Sequence, residues 1–419
     1  MWRTIGKVLL ILACITPRAV FGEVAPEPLG QIEPLPAVQS SWFWASDPIL
    51  KRVSLTDYYT DRVVASIDGG WGITVPLFAQ DGHEFYLPET HYSRGSRGER
   101  TDMVTFYETK TFKPVAEVII PPKRAHNALP IGNAALSDDG AFIAVFNMVP
   151  AQSISIVDTQ QRKFVEEIST PGCSLVYGAG QHRFMLLCGD GALMFVTLND
   201  KGTLQNIQRT AKQFDPMADP VMEKAVRVAS IWYFISYEGY VHSIDVSQPQ
   251  PHIDATWSLL TDDERNNHWR VGGRQLLAVH GGNNTLYVLM HQGATDTHKQ
   301  GGTDLWTFDL LSHKKRSETA LLSPGFTFSG VSTEFGTEWI WPFNHFYNWL
   351  TQLSFIEPHA RPDAIVVTQD KNPTLLLSGQ FTGMVAIYDA TTLQFKHRVT
   401  TGNLANLVLI PSAWNGGVH

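Results

Sequence analysis

The stretch SISIVD, residues 153–158, alternates apolar with small polar side chains, ends in an aspartate and leads into a turn. Such alternation is typical of a half-buried β-strand, and an aspartate at the end can cap the turn by accepting from its backbone N–H groups. The pattern recurs along the chain. Its other copies are MVTFYE (103–108), YVHSID (240–245), DLWTFD (304–309) and MVAIYD (384–389), with LMFVTLND (193–200) and ILKRVSLTD (49–57) as looser versions.

Most copies follow a turn and a second apolar strand, as in SDDGAFIAVFN (137–147) and GGNNTLYVLM (281–290). Short strands with turn signals and little helical periodicity predict an all-β fold. Seven units of roughly 40 to 60 residues match propeller blades better than sandwich strands. The predicted blades are 39–67, 79–120, 137–168, 178–210, 226–260, 280–321 and 365–402. An eight-bladed ring is the alternative, if residues 322–362 form a blade of their own.

An aromatic segment interrupts the repeat late in the chain. FTFSGVSTEFGTEWIWPFNHFYNWLTQLSF (326–355) contains ten aromatic residues in thirty, and part of it has helical spacing. It predicts a short, partly helical insertion (322–362) packed on the propeller. One alternative is an apolar docking surface for another subunit, because aromatic residues are enriched at interface cores. The other is contact with a membrane surface, which the lack of Lys and Arg weakens.

Composition narrows the class of function. Lys and Arg total 32 against 40 Asp and Glu, a formal charge of -8. This balance argues against a nucleic-acid partner, because non-specific binding needs a basic face. A hydrophobic fraction of 43% with 17% charged residues fits a well-buried globular protein. The arginines of YSRGSRGERTDMV (92–104), which recur every third residue, are therefore a local feature.

The N-terminus predicts export. Arg3 and Lys7 precede an apolar run at 8–15, and small residues at 20–22 suit cleavage after Gly22. A lipoprotein signal ending at Cys14 is the alternative, although Leu12 fits it poorly. The predicted division is a signal peptide (1–22), an N-terminal arm (23–38) and the propeller (39–419).

Export leaves Cys173 and Cys188 as an even pair in an oxidising compartment, which predicts a disulfide. A bond there closes a loop of about 15 residues and contributes about 3 kcal/mol in the chain-entropy model. The sequence has no C-x-x-C motif, so a zinc knuckle is not supported.

Catalytic signatures are missing from the sequence. It contains no G-x-S-x-G, no H-E-x-x-H and no P-loop. His280, His291 and His298 are too unevenly spaced to predict a metal site. From motifs alone, we expect no catalytic residue and no metal ligand in this chain.

Several longer stretches resemble one family, the heavy subunit of the quinoprotein amine dehydrogenases. They are SRGSRGERTDMV (93–104), PPKR (121–124), SDDGAFIAVFNMVPAQSISIVD (137–158), TWSLLTDDERNNHWRVGG (256–273) and YVLMHQGATDTHK (287–299). Both cysteines stand at the family's disulfide positions. PPKR, WSLL, CGDG and THK are more similar to the aralkylamine branch than to the methylamine branch. The resemblance covers most of the mature sequence.

The resemblance implies a periplasmic α2β2 complex. Its small, disulfide-rich light subunit carries tryptophan tryptophylquinone and the catalytic base, so this chain would bind no cofactor. The complex would oxidise a primary amine, an aralkylamine or methylamine, to an aldehyde and ammonia. Electrons would pass to an azurin- or amicyanin-like copper protein.

The resemblance also assigns site residues. A heavy-subunit aromatic lines the family's substrate channel, and IDGGWGITVP (67–76) places Trp71 there, where relatives usually carry phenylalanine. The larger indole either narrows the channel toward small amines or stacks on an aromatic substrate; packing at the rim is the structural alternative. Arg94, Arg97 and Arg100 are expected at the subunit interface, paired with Glu99, Asp102 and carbonyl groups.

Two other functions remain open at this point. One is a stand-alone secreted propeller that binds a protein or a glycan without catalysis. The other is a lactonase-type hydrolase, which needs a carboxylate-lined metal site at the axis. The sequence shows no acidic cluster that predicts such a site.

Overall fold

The structure is a computed structural model that describes residues 34–72, 74–126, 132–321, 361–379 and 382–411. Within these ranges the strands form seven antiparallel sheets, one per blade. The predicted all-β, seven-bladed propeller is confirmed. The predicted signal peptide, most of the arm and the aromatic segment lie outside the described residues. No helix in the described part is long and apolar enough to cross a membrane.

The first four blades follow the chain from its N-terminal side. The first blade contains β1 (Trp42–Asp47), β2 (Arg52–Asp57) and β3 (Arg62–Asp68). The second contains β4 (Leu77–Phe78), β5 (Glu84–Arg94), β6 (Arg97–Glu108) and β7 (Pro114–Ile120). The third contains β8 (Ala134–Leu136), β9 (Phe142–Asn147), β10 (Ser153–Asp158) and β11 (Lys163–Ser169). The fourth contains β12 (Cys173–Gly178), β13 (Arg183–Cys188), β14 (Leu193–Leu198) and β15 (Leu204–Arg209).

The last three blades are less regular. The fifth contains β16 (Val226–Val228), β17 (Ile231–Ile235), β18 (Tyr240–Asp245) and an outer edge split into β19 (His252–Ile253) and β20 (Trp257–Ser258). A short helix α1 (Asp262–Asn266) follows. The sixth has an inner edge split into β21 (Trp269–Val271) and β22 (Leu277–His280), a 3-10 turn (Gly281–Asn283), β23 (Thr285–Gln292), β24 (Asp304–Asp309) and β25 (Lys315–Ala320). The seventh contains β26 (Ala364–Val367), β27 (Thr374–Ser378), β28 (Met384–Asp389) and β29 (Phe395–Thr400).

The ring is closed by the last strand of the described chain, β30 (Val408–Pro411). It pairs antiparallel with β1, from Phe43 opposite Pro411 to Ser46 opposite Val408. The first blade therefore takes its inner strand from the C-terminal side and its other three strands from the N-terminal side. The sequence alone had left this closure open.

The sixth and seventh blades are direct neighbours. The Gln275 N–H donates to the Asp363 carbonyl at 2.9 Å, and the Ile365 N–H donates to the Gln275 carbonyl at 2.8 Å. These bonds bridge the inner edges of the two blades in parallel. No blade can stand between them, so the eight-bladed alternative is wrong.

Where the recurring acidic residue is an aspartate, it caps the turn after the third strand of its blade. The Asp158 carboxylate accepts from the backbone N–H groups two and three residues later at 2.9 and 2.7 Å, and Asp389 does the same at 2.9 and 3.0 Å. This was predicted. The conformation of the turn was not: in five blades the residue four positions after the acid has φ between 49° and 58°. These left-handed residues are Asp61, Phe112, Arg162, His313 and Leu393.

The core lies between neighbouring sheets rather than in one centre. Trp44 of the first blade stacks on Phe112 of the second, with 5.4 Å between ring centroids, and contacts Phe85 at 5.1 Å. Between the fourth and fifth blades, Tyr177 meets the edge of Trp232 at 5.2 Å. Each blade thus buries both faces against its neighbours, which holds the loops of adjacent blades in fixed relation.

Candidate functional site

One face of the ring carries the predicted site residues. In a four-stranded blade, the connection into the inner strand and the hairpin between the second and third strands emerge on the same side. We call this side the loop face. It is defined here by the described connection residues 48–51, 69–72, 74–76, 95–96, 121–126, 132–133, 148–152 and 210–225. Trp71, the arginine-rich hairpin and the ends of both disulfide-bonded strands belong to it.

Trp71 lies in the connection between β3 and β4 and is half-buried. Its backbone N–H donates to the Thr90 carbonyl at 2.6 Å, and its carbonyl accepts from the Arg124 guanidinium at 3.5 Å. The Lys51 ammonium nitrogen lies 3.6 Å from the centroid of the indole ring, a cation–π contact. Tyr92 meets the ring edge-on at 6.2 Å. The indole is therefore held in one orientation on the loop face.

Glycines on both sides of Trp71 allow this close approach. A Cβ at Gly70 would lie 2.7 Å from the Thr90 carbonyl oxygen, and one at Gly72 would lie 2.2 Å from the carbonyl oxygen of His126. Both glycines have positive φ, which a side chain disfavours. The glycines of GGWG thus let the Trp71 backbone lie close to both β5 and the connection after β7.

Asp102 connects the elements around Trp71 and is fully buried. Its carboxylate accepts from the Thr90 hydroxyl at 2.9 Å and from Arg100 Nε and Nη2 at 2.8 and 2.7 Å. It also accepts from the backbone N–H of Arg124 at 2.7 Å. One carboxylate thereby ties together both strands of the hairpin and the connection after β7.

Arg124 is the buried cation of this cluster, with 2% of its surface exposed. Its Nε donates to the Thr90 hydroxyl at 3.1 Å. Burial lowers the pKa of Arg124 to about 10, and the nearby Asp102 carboxylate opposes that shift. Arg124 therefore stays protonated at neutral pH and links the buried cluster to the Trp71 carbonyl.

The three arginines predicted at the interface have different surroundings. Arg100 is part of the internal cluster: it pairs with Asp102 and donates to the Arg124 carbonyl at 2.7 Å, as expected from its neighbours. Arg94 and Arg97 face each other at the exposed end of the hairpin. Neither forms an ion pair with any described residue, and the expected pairing with Glu99 is not observed.

The predicted disulfide joins Cys173 and Cys188, and both residues are buried. They are directly opposite each other in the β12–β13 register, with 3.9 Å between their Cα atoms. The bond therefore fixes the loop-face end of a strand pair rather than a loose loop.

The three histidines weighed as metal ligands do not converge. His280 bonds to the Asp370 carbonyl at 3.1 Å on the opposite face, whereas His298 stacks on Tyr237 with 4.0 Å between centroids. His291 is buried and bonds to the Thr297 hydroxyl at 2.9 Å. In the described ranges, no three His, Cys, Asp or Glu side chains are placed to hold a metal ion.

His291 should make stability depend on pH. Burial, with nearby arginines, lowers its pKa from 6.5 to about 4. Because the unfolded chain binds the proton first, the stabilising contribution is complete above about pH 6.5 and is lost as pH falls toward 4. The loss should be about 1.4 kcal/mol per pH unit. Unfolding by denaturant across this range should show a flatter profile for His291→Gln than for the exposed control His83→Gln. Parallel profiles for both variants would contradict the assignment.

Comparison with known proteins gives a consistent result. Residues 45–318 match the sequence profile of a family described as "Methylamine dehydrogenase heavy chain (MADH)". The chain is similar to the methylamine dehydrogenase heavy chain of Methylophilus methylotrophus, 28% identical over 314 residues, which are 73% of this chain and 77% of that protein. It is 26% identical to the heavy chain of Paracoccus versutus over 366 residues, covering 85% and 76% of the two chains.

Similar solved structures confirm the fold alone. Dihydro-heme d1 dehydrogenase NirN, solved in complex with DHE, has a TM-score of 0.54 at 16% identity and covers 93% of this chain and 79% of its own. A functionally unknown protein from Desulfotomaculum acetoxidans has a TM-score of 0.53 at 10% identity, with 88% and 98% coverage. At these identities the likeness carries no information on substrate.

Proposed function

Because the chain belongs to the methylamine dehydrogenase heavy-chain family, we propose that it is the scaffold and substrate-channel wall of a periplasmic amine dehydrogenase. Its partner is a small, disulfide-rich light subunit that holds tryptophan tryptophylquinone, in an α2β2 complex. That quinone would supply the two-electron oxidation of a primary amine, with water providing the oxygen of the aldehyde that is released with ammonia. The electrons pass to an azurin- or amicyanin-like copper protein. A cleavable signal peptide, residues 1–22, directs the export.

The observation that carries this proposal is the fixed, half-buried Trp71 on the loop face. The buried Asp102–Arg124 cluster holds the backbone of its loop, and Lys51 covers one face of the indole. Such rigidity suits a channel wall, since a side chain positioned by its surroundings costs less to order when substrate passes.

Exposed apolar side chains on the same face support a subunit interface there. Ile49 and Leu50 stand beside Lys51 with 50% and 42% of their surface exposed. Met148, Val149 and Met217 are also exposed in other connections of the loop face. Apolar and methionine side chains favour protein–protein contact. Together with the exposed Arg94 and Arg97, these side chains give the light subunit an apolar surface bordered by positive charge.

We infer that the substrate is an aralkylamine. The indole presents more aromatic surface than the phenylalanine usual in the family, and four sequence stretches are more similar to the aralkylamine branch. The Lys51 ammonium lies against the indole at this wall. Because like charges repel, it favours the uncharged form of a passing amine.

Purification from the native periplasm under mild conditions tests the proposal. The expected result is a small co-purifying chain and a quinone absorption band that bleaches when a primary amine is added. A colourless monomer that does not respond to amines would contradict it and favour the stand-alone binding propeller.

Trp71 should control which amines are preferred. Trp71→Phe is expected to lower kcat/KM for 2-phenylethylamine by up to about tenfold, because it loses stacking area. The value for methylamine should change less. Steady-state kinetics of the assembled complex with both amines measure the ratio. An equal loss for both amines would show that the residue supports the fold of the rim and does not select substrate.

Arg97 should contribute to association with the light subunit. Arg97→Ala is expected to weaken binding by about fivefold at low salt, because an exposed charge at a rim contributes at most about 1 kcal/mol. The difference should disappear at high salt, where surface charges are screened. Arg62, the exposed first residue of β3 on the opposite face, supplies the control Arg62→Ala. Assembly that is unchanged at every ionic strength would remove the interface role.

A further inference from the structure

A cavity of about 180 Å³ lies along the axis of the ring, and the innermost strands of all seven blades line it. Its walls are mainly apolar, with side chains such as Leu77, Val176, Leu277, Val366 and Leu409. Apolar cavities of about 150 Å³ can hold a benzene ring. The axis of this propeller therefore has room for a small aromatic or branched aliphatic group.

One end of the cavity is cationic. Among the described residues that line it, the charged side chains are Arg124 and Lys224, and no carboxylate is present. Arg124 comes from the connection before β8 and Lys224 from the connection before β16, so both stand at the loop-face end. Asn133 and Gln275 add neutral polar groups at the same end.

Lys224 is the cation best placed to meet a ligand. It is 7% exposed, and its ammonium is 3.2 Å from the Glu223 carboxylate, which does not itself line the cavity. The Tyr177 hydroxyl donates to the Glu223 carbonyl at 2.6 Å and fixes this segment. Burial lowers the pKa of Lys224, and the nearby Glu223 carboxylate opposes that shift. A second anion at the ammonium would compensate for part of the lost hydration.

We propose that the axial cavity binds a small monocarboxylate with an apolar body, of the arylalkanoate class. The carboxylate lies at Lys224 and the apolar body extends along the inner strands. Trp71 does not line this cavity, although Arg124 contacts both, and the proposal does not depend on the proposed amine oxidation.

Three matched probes test the proposal by calorimetry on the full chain or its native complex. Phenylacetate has both the charge and the ring, phenylacetamide keeps the shape without the charge, and acetate keeps the charge without the ring. Phenylacetate is expected to bind at least about tenfold more tightly than either of the others. One hydrogen bond between charged groups in a site without water contributes an affinity difference of this size. Equal binding of the amide or of acetate would overturn the proposal, and so would no binding at all.

Variants locate the binding. Lys224→Met should weaken phenylacetate binding about tenfold or more and leave phenylacetamide unchanged. Ala135→Leu should weaken the binding of both phenylacetate and phenylacetamide, because the larger side chain at this lining position fills part of the cavity. Lys123→Met is the control, since Lys123 pairs with Glu167 outside the cavity and should have no effect. Unchanged phenylacetate binding in Lys224→Met would overturn the assignment. If that variant fails to fold, the comparison of the three probes on the natural chain still decides.

Discussion

Asp102→Ala is expected to destabilise the protein by about 3–5 kcal/mol. The substitution removes the carboxylate that accepts from Thr90, Arg100 and the Arg124 backbone. It leaves the Arg100 guanidinium without its ion-pair partner and the buried Arg124 guanidinium without a nearby negative charge. Breaking a buried ion pair by deleting one partner has a cost of this size. Denaturant unfolding measures the loss, and hydrogen exchange of the Trp71 N–H should accelerate more than that of the distant blades.

A double-mutant cycle separates the ion pair from the rest of the cluster. Arg100→Met and Asp102→Asn together should destabilise by less than the sum of the single variants, by about 1 kcal/mol or more, because the two side chains interact directly.

Asp296→Ala is the matched control for Asp102→Ala. This exposed carboxylate makes no hydrogen bond or ion pair with a described residue, and its removal should change the free energy of unfolding by no more than about 0.5 kcal/mol. A loss below about 1 kcal/mol for Asp102→Ala would show that the cluster does not hold this face together.

Replacing both cysteines by alanine should cost about 3 kcal/mol of unfolding free energy. The bond closes a loop of 15 residues, and losing it returns conformational freedom to the unfolded chain. Cys173 and Cys188 are register partners in adjacent strands, so the native pairing of β12 and β13 persists without the bond. The effect should therefore fall mainly on the unfolded state.

Reduction of the natural chain provides the internal control. In the presence of a reductant its unfolding free energy should approach that of the Cys173→Ala/Cys188→Ala variant, whereas the variant should not respond. A difference below about 1 kcal/mol between the oxidised protein and the variant would mean that residual structure already restricts the unfolded chain at this point.

The blades could be predicted because their signals are local. An apolar alternation that ends in Asp or Glu needs a few neighbouring residues to form a strand and cap a turn, and Asp158 and Asp389 do this as expected. The predicted bounds cover the outer three strands of each blade, but in the second, third, fourth and sixth blades they begin at or after the end of the inner strand. The left-handed residue four positions later has no such signal, since Phe112 and Leu393 are not residues that favour positive φ.

The candidate site was predictable in part. The resemblance placed Trp71 and the arginines on one loop system, but it did not separate Arg100, which is internal, from Arg94 and Arg97, which are exposed. That distinction depends on which arginine lies beside the buried Asp102 after the hairpin pairs. Lys51, which covers the indole, is twenty residues away in another connection, and no pattern in the sequence links the two.

The sequence by itself determined the outer strands of the blades, the capped turns, the cysteine pair and the family. These follow from short-range periodicity and from stretches that need no partner to be recognised. The tertiary structure decided the ring closure by β30, the contact of Lys51 with Trp71, the Asp102–Arg124 cluster and the cationic end of the axial cavity. Each joins residues that are distant in the chain. Such contacts depend on how seven sheets pack around one axis, which local propensity does not encode.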